Sequence, residues 1–426
     1  MCMFSIDPCP YVVRKPNRRI ILMTKKRSQF IISLFLIAWA LGISSCKDDY
    51  QYIEDAGPRP QLVDQLNGKF PIVAWTGINA DESAAKFPTM KKAGFNVYLG
   101  WYDNLTEATT VLETAENIGV KVILSCPELD MNTEGAVQKM AEYASLYGYY
   151  IDDEPEVEEF STLSKRVNKI HSFDTKHPCY INLYPNWAWG GPENYSYKVR
   201  AFLKKVPVSF FSFDYYPITE VNGVSSLRPD WYRNLEDIAA AAKEKNVPFW
   251  AFGLALSHTL SDVFYPIPTV AELRLQMFSN LVYGAQGFQY FTYWGVYHDA
   301  PTEVYNRVKT VNQELQNLAS VFLGANIISV WHTGSEIPAG TRPLGQLPAP
   351  IKSLSTNGLG AVVSYLEKGD NQYLAIVNRD YKKPMELTAI LDPSVKQVLK
   401  NNTTVDATSG RLSVDAGDIV LYVWKK

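Results

Sequence analysis

Three carboxylates crowd the stretch "YGYYIDDEP" at residues 147–155, where Asp152, Asp153 and Glu154 follow an apolar run and precede Pro155. A buried charge is costly and neighbouring carboxylates repel one another, so stability alone does not account for such a cluster. The same repulsion raises the pKa of an acid, which keeps a carboxyl protonated near neutral pH as a general acid requires. The stretch therefore predicts a site of acid–base chemistry.

A second acid stands in a similar setting. Asp214 ends the apolar run "FFSFD" and is followed by Tyr215 and Tyr216. Its alternative interpretation is structural, as a cap of the turn that Pro217 begins. If both acids do chemistry, one serves as the proton donor and the other as a base or nucleophile.

The elements that must position these acids repeat along the chain. Between residues 70 and 325, short apolar runs alternate with amphipathic helical patterns, several of which end at a Gly. Eight such runs occur, at 71–78, 95–103, 120–128, 147–155, 178–187, 208–218, 247–258 and 285–294. Eight strands that are each followed by a helix predict an α/β fold of the (β/α)8 TIM barrel type, in which active sites lie at the carboxyl ends of the strands. An open doubly wound sheet is disfavoured, because no glycine-rich phosphate loop follows the first run.

The polar residues at the ends of the eight runs are mostly acids and aromatic side chains. They include Trp101, Glu128, Asp152, Asp153, Glu154, Asn182, Asp214, Tyr215, His258, Tyr293 and Trp294. These run ends contain no Lys or Arg, which argues against phosphorylated or strongly anionic substrates. Carboxylates and flat rings instead suit a neutral carbohydrate, and no metal ion or other cofactor is expected because no paired Cys or His spacing occurs.

Asp153-Glu154-Pro155 at the end of the fourth run resembles the Asn-Glu-Pro motif of the large clan of barrel glycoside hydrolases that includes the family 42 β-galactosidases. The resemblance covers the barrel and implies that Glu154 is the general acid/base. Trp294 is similar to the clan's residue beneath the sugar. The sequence departs from this resemblance at two places. Asp153 replaces the Asn of the motif, and the seventh run, "FWAFGLALSH", lacks the Glu that serves as nucleophile in the clan. Glu272 cannot substitute for it, because this residue lies too far into the next helix.

We therefore expect a glycoside hydrolase with Glu154 as general acid/base and Asp214 as the second carboxylate. We expect the two to face each other across the mouth at the longer separation that admits a water molecule. Two alternatives stay open: a substrate-assisted N-acetylhexosaminidase-type hydrolase, and a catalytically inactive barrel that binds glycans.

The remaining site predictions concern substrate contacts. Asp152, Asp153 and Asn182 are expected to bind sugar hydroxyls, and Trp101, Tyr215, Tyr293, Trp294 and His258 to contact the sugar ring. Trp101, like Trp75 and Trp187, could equally belong to the core, whereas Trp294 favours the sugar contact, and His258 could be a structural histidine.

Residues 1–46 have the pattern of a lipoprotein signal region. Basic residues precede an apolar stretch over 30–42, and "ISSC" places small residues before Cys46, the expected lipidation site. Met23 is a more natural start than Met1. We expect an outer-membrane lipoprotein that faces the cell surface or else the periplasm, with the lipid as its only membrane attachment.

The chain after the signal is acidic. Removing residues 1–45 leaves 34 Lys and Arg against 43 Asp and Glu, a net charge of −9, which argues against nucleic acid as a partner. Beyond Cys46 only Cys126 and Cys179 remain, and we expect them to be free and buried because their runs lie two strands apart. Residues 47–69 are expected to form a tether, and alternation with turn signals over 326–426 predicts a β-sandwich accessory domain.

Overall fold

The computed structural model describes residues 56–260 and 262–426. The eight predicted runs each contain a strand, and these strands close into a parallel barrel, which confirms the (β/α)8 prediction. The barrel strands are β1 Ile72–Trp75, β2 Val97–Trp101, β3 Lys121–Ser125, β4 Leu146–Asp153, β5 Cys179–Leu183, β6 Phe211–Phe213, β9 Phe249–Leu254 and β12 Gly287–Phe291.

The helices that surround these strands begin and end at recognisable signals. Asn104 accepts a hydrogen bond from the Glu107 amide at the start of helix α2 (Leu105–Ile118), and Gly119 ends that helix in a left-handed conformation. The helices are α1 Ser83–Lys92, α2 Leu105–Ile118, α3 Glu128–Met131, α4 Thr133–Met140, α5 Phe160–His171, α6 Pro192–Lys205, α7 Trp231–Lys245, α8 Val270–Val282, α9 Tyr293–Val296, α10 Val304–Asn317 and α11 Ala319–Phe322. Short 3-10 turns cover Ala80–Glu82 and Val157–Glu159.

Large rings fill the inside of the barrel. Tyr150 and Tyr180 stack with ring centroids 6.0 Å apart, and Trp75 meets both rings edge-on or tilted. Lower in the barrel, Phe210 stacks on Trp250 at 4.0 Å. These rings share the internal cluster with aliphatic residues such as Val73, Leu99 and Ile123, and together they form a solid floor beneath the carboxyl ends of the strands.

Two hairpins interrupt the simple alternation of strand and helix. One follows β6 and consists of β7 Ile218–Val221 and β8 Val224–Leu227; the other follows β9 and consists of β10 His258–Leu260 and β11 Val263–Tyr265. Together they form an antiparallel sheet in the order β10-β11-β7-β8. His258 therefore lies in this added sheet and not on the seventh barrel strand, because the run 247–258 breaks after Leu254.

The end of the eighth run also differs from the prediction. The strand ends at Phe291, and Tyr293 and Trp294 lie on the short helix α9. A small hairpin follows, with β13 Tyr297–His298 and β14 Ala300–Pro301.

Two antiparallel sheets make up the C-terminal region. The first has the order β15-β17-β18-β23-β20-β21 and the second β16-β19-β22. Their strands are β15 Asn326–His332, β16 Ile351–Ser355, β17 Ala361–Lys368, β18 Asn371–Asn378, β19 Met385–Leu391, β20 Lys396–Val398, β21 Thr404–Asp406, β22 Gly410–Val414 and β23 Ile419–Lys425. Side chains from both sheets share one hydrophobic cluster, and the sandwich interpretation stays a prediction. The barrel and these sheets belong to one compact unit.

Residues 56–69 have no helix or strand and lie against the barrel. Leu62 and Leu66 pack on its internal cluster, and the Gln65 side chain donates to the Tyr147 carbonyl oxygen at 2.8 Å. Cys126 and Cys179 are free and buried, as predicted. Within the described residues, no helix is long and apolar enough to cross a bilayer. Cys46 and the rest of the predicted signal region lie outside the described residues.

Candidate active site

An irregularity near the end of β4 determines which acid faces the barrel interior. The β4–β5 register shifts between Tyr150 and Asp152, so that Asp152 pairs with Ile181 and Asp153 pairs with Asn182. Tyr150 and Asn182 both point inward, and simple alternation from Tyr150 would have turned Asp153 outward. The shift therefore directs the Asp153 side chain into the mouth, in the way that bulges redirect side chains next to active sites.

Regular alternation after β6 places Asp214 in the same mouth. Phe210 belongs to the internal cluster and Phe213 to the outer one, so Ser212 and Asp214 face inward. Tyr215 faces outward and is buried, and its hydroxyl donates to Asp230 Oδ1 at 2.6 Å. The structure therefore brings Asp214 into the site and places Tyr215 against the start of α7.

Asn182 joins the two inward-facing acids. Its amide nitrogen Nδ2 donates to Asp153 Oδ1 and to Asp214 Oδ1, each at 3.1 Å. Because both oxygens lie 3.1 Å from one nitrogen, they are at most 6.2 Å apart. Asp214 does not cap the turn at Pro217; it forms a carboxylate pair with Asp153.

A buried polar network orients the Asn182 amide. Ser212 Oγ donates to Asn182 Oδ1 at 2.9 Å, and Gln289 Nε2 donates to Ser212 Oγ at 2.6 Å. The Tyr180 hydroxyl donates to Gln289 Oε1 at 2.8 Å. Since Asn182 Oδ1 is occupied by Ser212, both amide hydrogens are left for the two carboxylates.

Sequence reasoning missed Tyr180, Ser212 and Gln289. They lie one layer below the carboxyl ends of the strands, so a comparison of the last residues of each apolar run does not find them. For Ser212 a signal existed, because a small polar residue two positions before Asp214 occupies the same face of its strand.

The two carboxyls differ in their protonation. Burial and, next, the negative charge of Asp153 raise the pKa of Asp214 to about 7, although hydrogen bonds from Asn182 and Tyr216 act in the opposite direction. Asp214 is therefore substantially protonated at neutral pH. Burial, together with the charges of Asp214, Asp153 and Glu154, holds the pKa of Tyr216 well above its usual range, so that this hydroxyl stays a proton donor.

Glu154 borders the pair and has an unusual backbone conformation. Its φ is 55°, in the left-handed region that non-glycine residues seldom adopt, and its amide donates to the Asn182 carbonyl oxygen at 2.8 Å. The side chain is partly exposed. Asp152, in contrast, accepts a hydrogen bond at 2.9 Å from the backbone amide of Asp153.

The predicted aromatic contacts divide into two groups. Trp101 is 38% exposed and packs against Tyr150, and the partly exposed Trp294 lies against His298 with ring centroids 4.3 Å apart. Tyr293 is fully buried against Phe95 and does not reach the carboxylates.

His258 contacts the ring of Tyr216, which follows Asp214 by two positions. It stacks on Tyr265 at 4.8 Å and meets the Tyr216 ring at 6.0 Å, and burial lowers its pKa so that it is neutral at pH 7. Arg228 also lies near this edge, with Nη1 3.5 Å from the Tyr265 hydroxyl and the guanidinium over Trp187 at 4.7 Å. A basic residue thus lies at the rim, although it is not at the end of a barrel strand.

The seventh barrel strand contributes no acid to the mouth. Glu272 is buried at the start of α8, where its carboxylate accepts from the Thr269 amide at 2.6 Å, and this cap excludes it as a substitute. No group of three or more His, Cys, Asp or Glu residues among those the structure describes could hold a metal ion.

A cavity of about 1350 Å³ opens at the other end of the barrel. Its lining includes Lys69, Tyr147, Ser209 and Gln286, which lie at the amino-terminal ends of the strands. Because catalytic groups in these barrels lie at the carboxyl ends, the size of this cavity does not make it the active site.

No protein-family model matches the sequence, and no curated protein sequence matches it. The structure is similar to α-galactosidase I from Mortierella vinacea, with 10% identity and a TM-score of 0.49 over 85% of this chain and 98% of that chain. It also resembles a GH10 xylanase from Thermobacillus composti, with 14% identity and a TM-score of 0.38 over 59% of this chain and 99% of that chain. A third similar structure is a truncated 3-deoxy-D-arabino-heptulosonate 7-phosphate synthase from Thermotoga maritima, with 15% identity and a TM-score of 0.38 over 62% of this chain and 93% of that chain. Similarity at this level does not identify a function.

Proposed function

We propose that the protein is a glycoside hydrolase that acts on a neutral glycan, with Asp153 and Asp214 as its carboxylate pair. The observation that carries this proposal is the Asn182 amide, which donates to both acids at 3.1 Å and holds them in one mouth. A paired acid and carboxylate is the arrangement that glycosidic bond hydrolysis requires.

The raised pKa of Asp214 assigns the roles within the pair. Asp214, substantially protonated near pH 7, donates its proton to the leaving glycosidic oxygen, and Asp153 attacks the anomeric carbon to form a glycosyl ester. Ionised Asp214 then takes a proton from water, and that water attacks the anomeric carbon and releases Asp153. The 6.2 Å limit between the bridged oxygens is below the roughly 6.5–9.5 Å of inverting enzymes, which favours retention.

This assignment differs from the expectation that Glu154 is the acid, so three isosteric variants must be compared. Asp214→Asn should lose about 10²–10⁴-fold on glycosides with poor leaving groups and much less on activated aryl glycosides. Asp153→Asn should lose activity on both. Glu154→Gln should retain most activity; if it instead shows the pattern expected of Asp214→Asn, Glu154 is the acid.

A covalent intermediate tests the nucleophile directly. A 2-deoxy-2-fluoro glycoside with a good leaving group should label Asp153 and give the added mass on its peptide. Labelling of Glu154 or Asp214, or inverted product configuration by NMR, would contradict the assignment.

Partly exposed rings complete the proposed sugar site. Trp101, at the end of β2, and Trp294, three residues after the end of β12, are partly exposed, and flat apolar faces of this kind suit the C–H face of a sugar. His258 is proposed to contact a sugar hydroxyl. Asp152 pairs with the outward-facing Ile181, and the Asn182 amide is used by Ser212 and the two acids, so these two residues are not proposed as direct sugar contacts. A hydrolysis screen over chromogenic glycosides, with the soluble chain from residue 56, would identify the sugar and anomer.

A substrate-assisted mechanism is the second candidate. The negative charges of Asp153, Glu154 and Asp214 all act on Tyr216. A Tyr hydroxyl next to an Asp-Glu pair is suited to stabilise the substrate's acetamide group as it attacks the anomeric carbon of its own sugar ring. Selective release of N-acetylhexosamine in the screen would favour it. Binding of oligosaccharides by calorimetry with no turnover would favour an inactive glycan-binding barrel.

We also propose that the protein is a lipoprotein of the outer membrane, anchored through Cys46. The support is the sequence alone, in which "ISSC" follows a short apolar stretch with basic residues before it. Cys46→Ala should accumulate as an unlipidated precursor, and normal membrane attachment of that variant would refute the anchor.

A further inference from the structure

An apolar row crosses the antiparallel sheet formed by β10, β11, β7 and β8. Leu260 pairs with Val263, and Val221 pairs with Val224. Phe264 pairs with Glu220, so one further step along this antiparallel register places Val263 opposite Val221. Paired residues of antiparallel strands share a face, so these four side chains form one continuous line, here called the apolar row.

Three of the four residues of the apolar row are open to solvent. Val221 is 66% exposed, Val224 65% and Leu260 46%, whereas Val263 is partly buried and packs on the internal cluster of the barrel. Single exposed apolar residues are common on protein surfaces, but three that are aligned with Val263 across neighbouring strands indicate a binding surface.

The same face of the sheet reaches the carboxylate pair. His258 lies two positions before Leu260, and its partner Tyr265 lies two positions after Val263, so both are on the face of the apolar row. Both rings meet Tyr216, at 6.0 and 6.2 Å, and Tyr216 belongs to the internal cluster of the barrel and follows Asp214 by two positions. The apolar row thus begins two residues along the strands from the His258 and Tyr265 rings, a distance of roughly 7 Å at about 3.4 Å per residue.

The chemistry of this face restricts what it could bind. Besides the apolar row and the two rings, it has Thr219 and Ser226, which pair with each other. The charged Glu220 lies on the opposite face with Phe264. Arg228 lies at the end of the face nearest the site, with Nη1 3.5 Å from the Tyr265 hydroxyl, and the apolar row itself contains no charged residue. Branched aliphatic side chains also lack the flat ring face on which sugars stack.

We propose that the apolar row binds a hydrophobic aglycone, an alkyl or acyl chain attached to the sugar that the carboxylate pair cleaves. This inference rests on the proposed glycosidase function and narrows its substrates to glycolipid-like glycosides. The row extends over three strand spacings, about 14 Å, which matches the length of an alkyl or acyl chain and is far longer than a methyl group.

The expected effect follows from the burial of methylene groups. Each fully buried methylene contributes about 0.8 kcal/mol, which corresponds to about fourfold in affinity. Partial burial on an open sheet should give less, so we expect an n-octyl glycoside to have a KM about 10–100-fold below that of its methyl counterpart.

The test compares the ratio of KM for methyl and n-octyl galactosides of both anomers, or of the sugar that the screen identifies. In Val221→Thr/Val224→Thr the shape and strand preference are kept and two apolar faces become polar, so the ratio should fall at least fivefold. Phe264→Thr is the matched control, because this residue is 39% exposed on the same sheet but faces the other way. Its ratio should equal that of the wild type.

Each result decides one point. Equal KM values for methyl and octyl glycosides in the wild type, or an equal fall of the ratio in Phe264→Thr, would overturn the proposal. If no glycoside is hydrolysed, the catalytic assignment fails, and calorimetric binding of n-octyl galactoside to the wild type and the double Thr variant still decides the inference. If the wild type sediments as a dimer and the double Thr variant as a monomer, the row is a contact between two copies and the aglycone proposal is refuted.

Discussion

Removing the charge of Asp153 should lower the pKa of Asp214. The bridged oxygens are at most 6.2 Å apart, and two unit charges at about 6 Å interact by roughly 2.8 kcal/mol at an effective dielectric constant of 20. At 1.36 kcal/mol per pKa unit, this corresponds to about 2 units. Burial is the larger cause of the raised pKa and persists in Asp153→Asn, so the pKa of Asp214 should fall from about 7 by about 1–2 units, and stay above that of an exposed Asp.

The measurement does not depend on activity, which Asp153→Asn should abolish. Aspartate labelled with ¹³C at the side-chain carboxyl gives resonances that shift on ionisation, and Asp214→Asn identifies the Asp214 signal by its loss. The matched control is Asp152→Asn, because Asp152 pairs with the outward-facing Ile181 and its charge is expected to act on Asp214 less strongly.

Two results would refute this reasoning. A wild-type Asp214 signal that titrates near pH 4 would show that the carboxyl is not held protonated. An equal effect of Asp152→Asn and Asp153→Asn would show that the shared amide does not define the pair.

Three further predictions concern stability. Because burial raises the folded pKa of Asp214 to about 7, ionisation of this carboxyl destabilises the fold as pH rises from about 4 to 7. At pH 8 the Asp214→Asn variant should therefore be more stable than the wild type, by up to about 4 kcal/mol in urea unfolding. The difference should vanish near pH 4, where the carboxyl is protonated in both the folded and the unfolded state. Burial lowers the pKa of His332 to about 3, so stability should be lost as pH falls from about 6.5, by about 2 kcal/mol at pH 5, and His332→Gln should show a smaller loss between pH 7 and pH 5. Gly77 has φ +106°, and an added Cβ would lie 2.8 Å from the Trp294 backbone nitrogen. Gly77→Ala should therefore destabilise the protein by about 1–3 kcal/mol, and it should raise KM because Trp294 is a proposed sugar contact. Gly358→Ala is the control: Gly358 has φ +80° but no neighbour within 4 Å, so this variant should lose only stability.

Hydrophobic patterning alone predicts the barrel and the end at which its acids lie. Each of the eight apolar runs contains a barrel strand, because a strand buried on both faces has few polar positions and its first acid marks its end. The period of two also determines that Asp214 and Ser212 share a face, and that Tyr215 does not. The free, buried thiols of Cys126 and Cys179 follow from the same assignment of strands.

Tertiary structure decides which acids meet. The shift of register in β4 directs Asp153 toward Asn182, and no local pattern in "YIDDEP" announces it, because a bulge depends on how the neighbouring strand pairs. The added sheet that carries His258 likewise forms only when two hairpins that are distant in the chain, one ending at Leu227 and the other beginning at His258, pair with each other. The pKa of Asp214 depends on burial and on the distance to Asp153, two quantities that exist only once the barrel has closed.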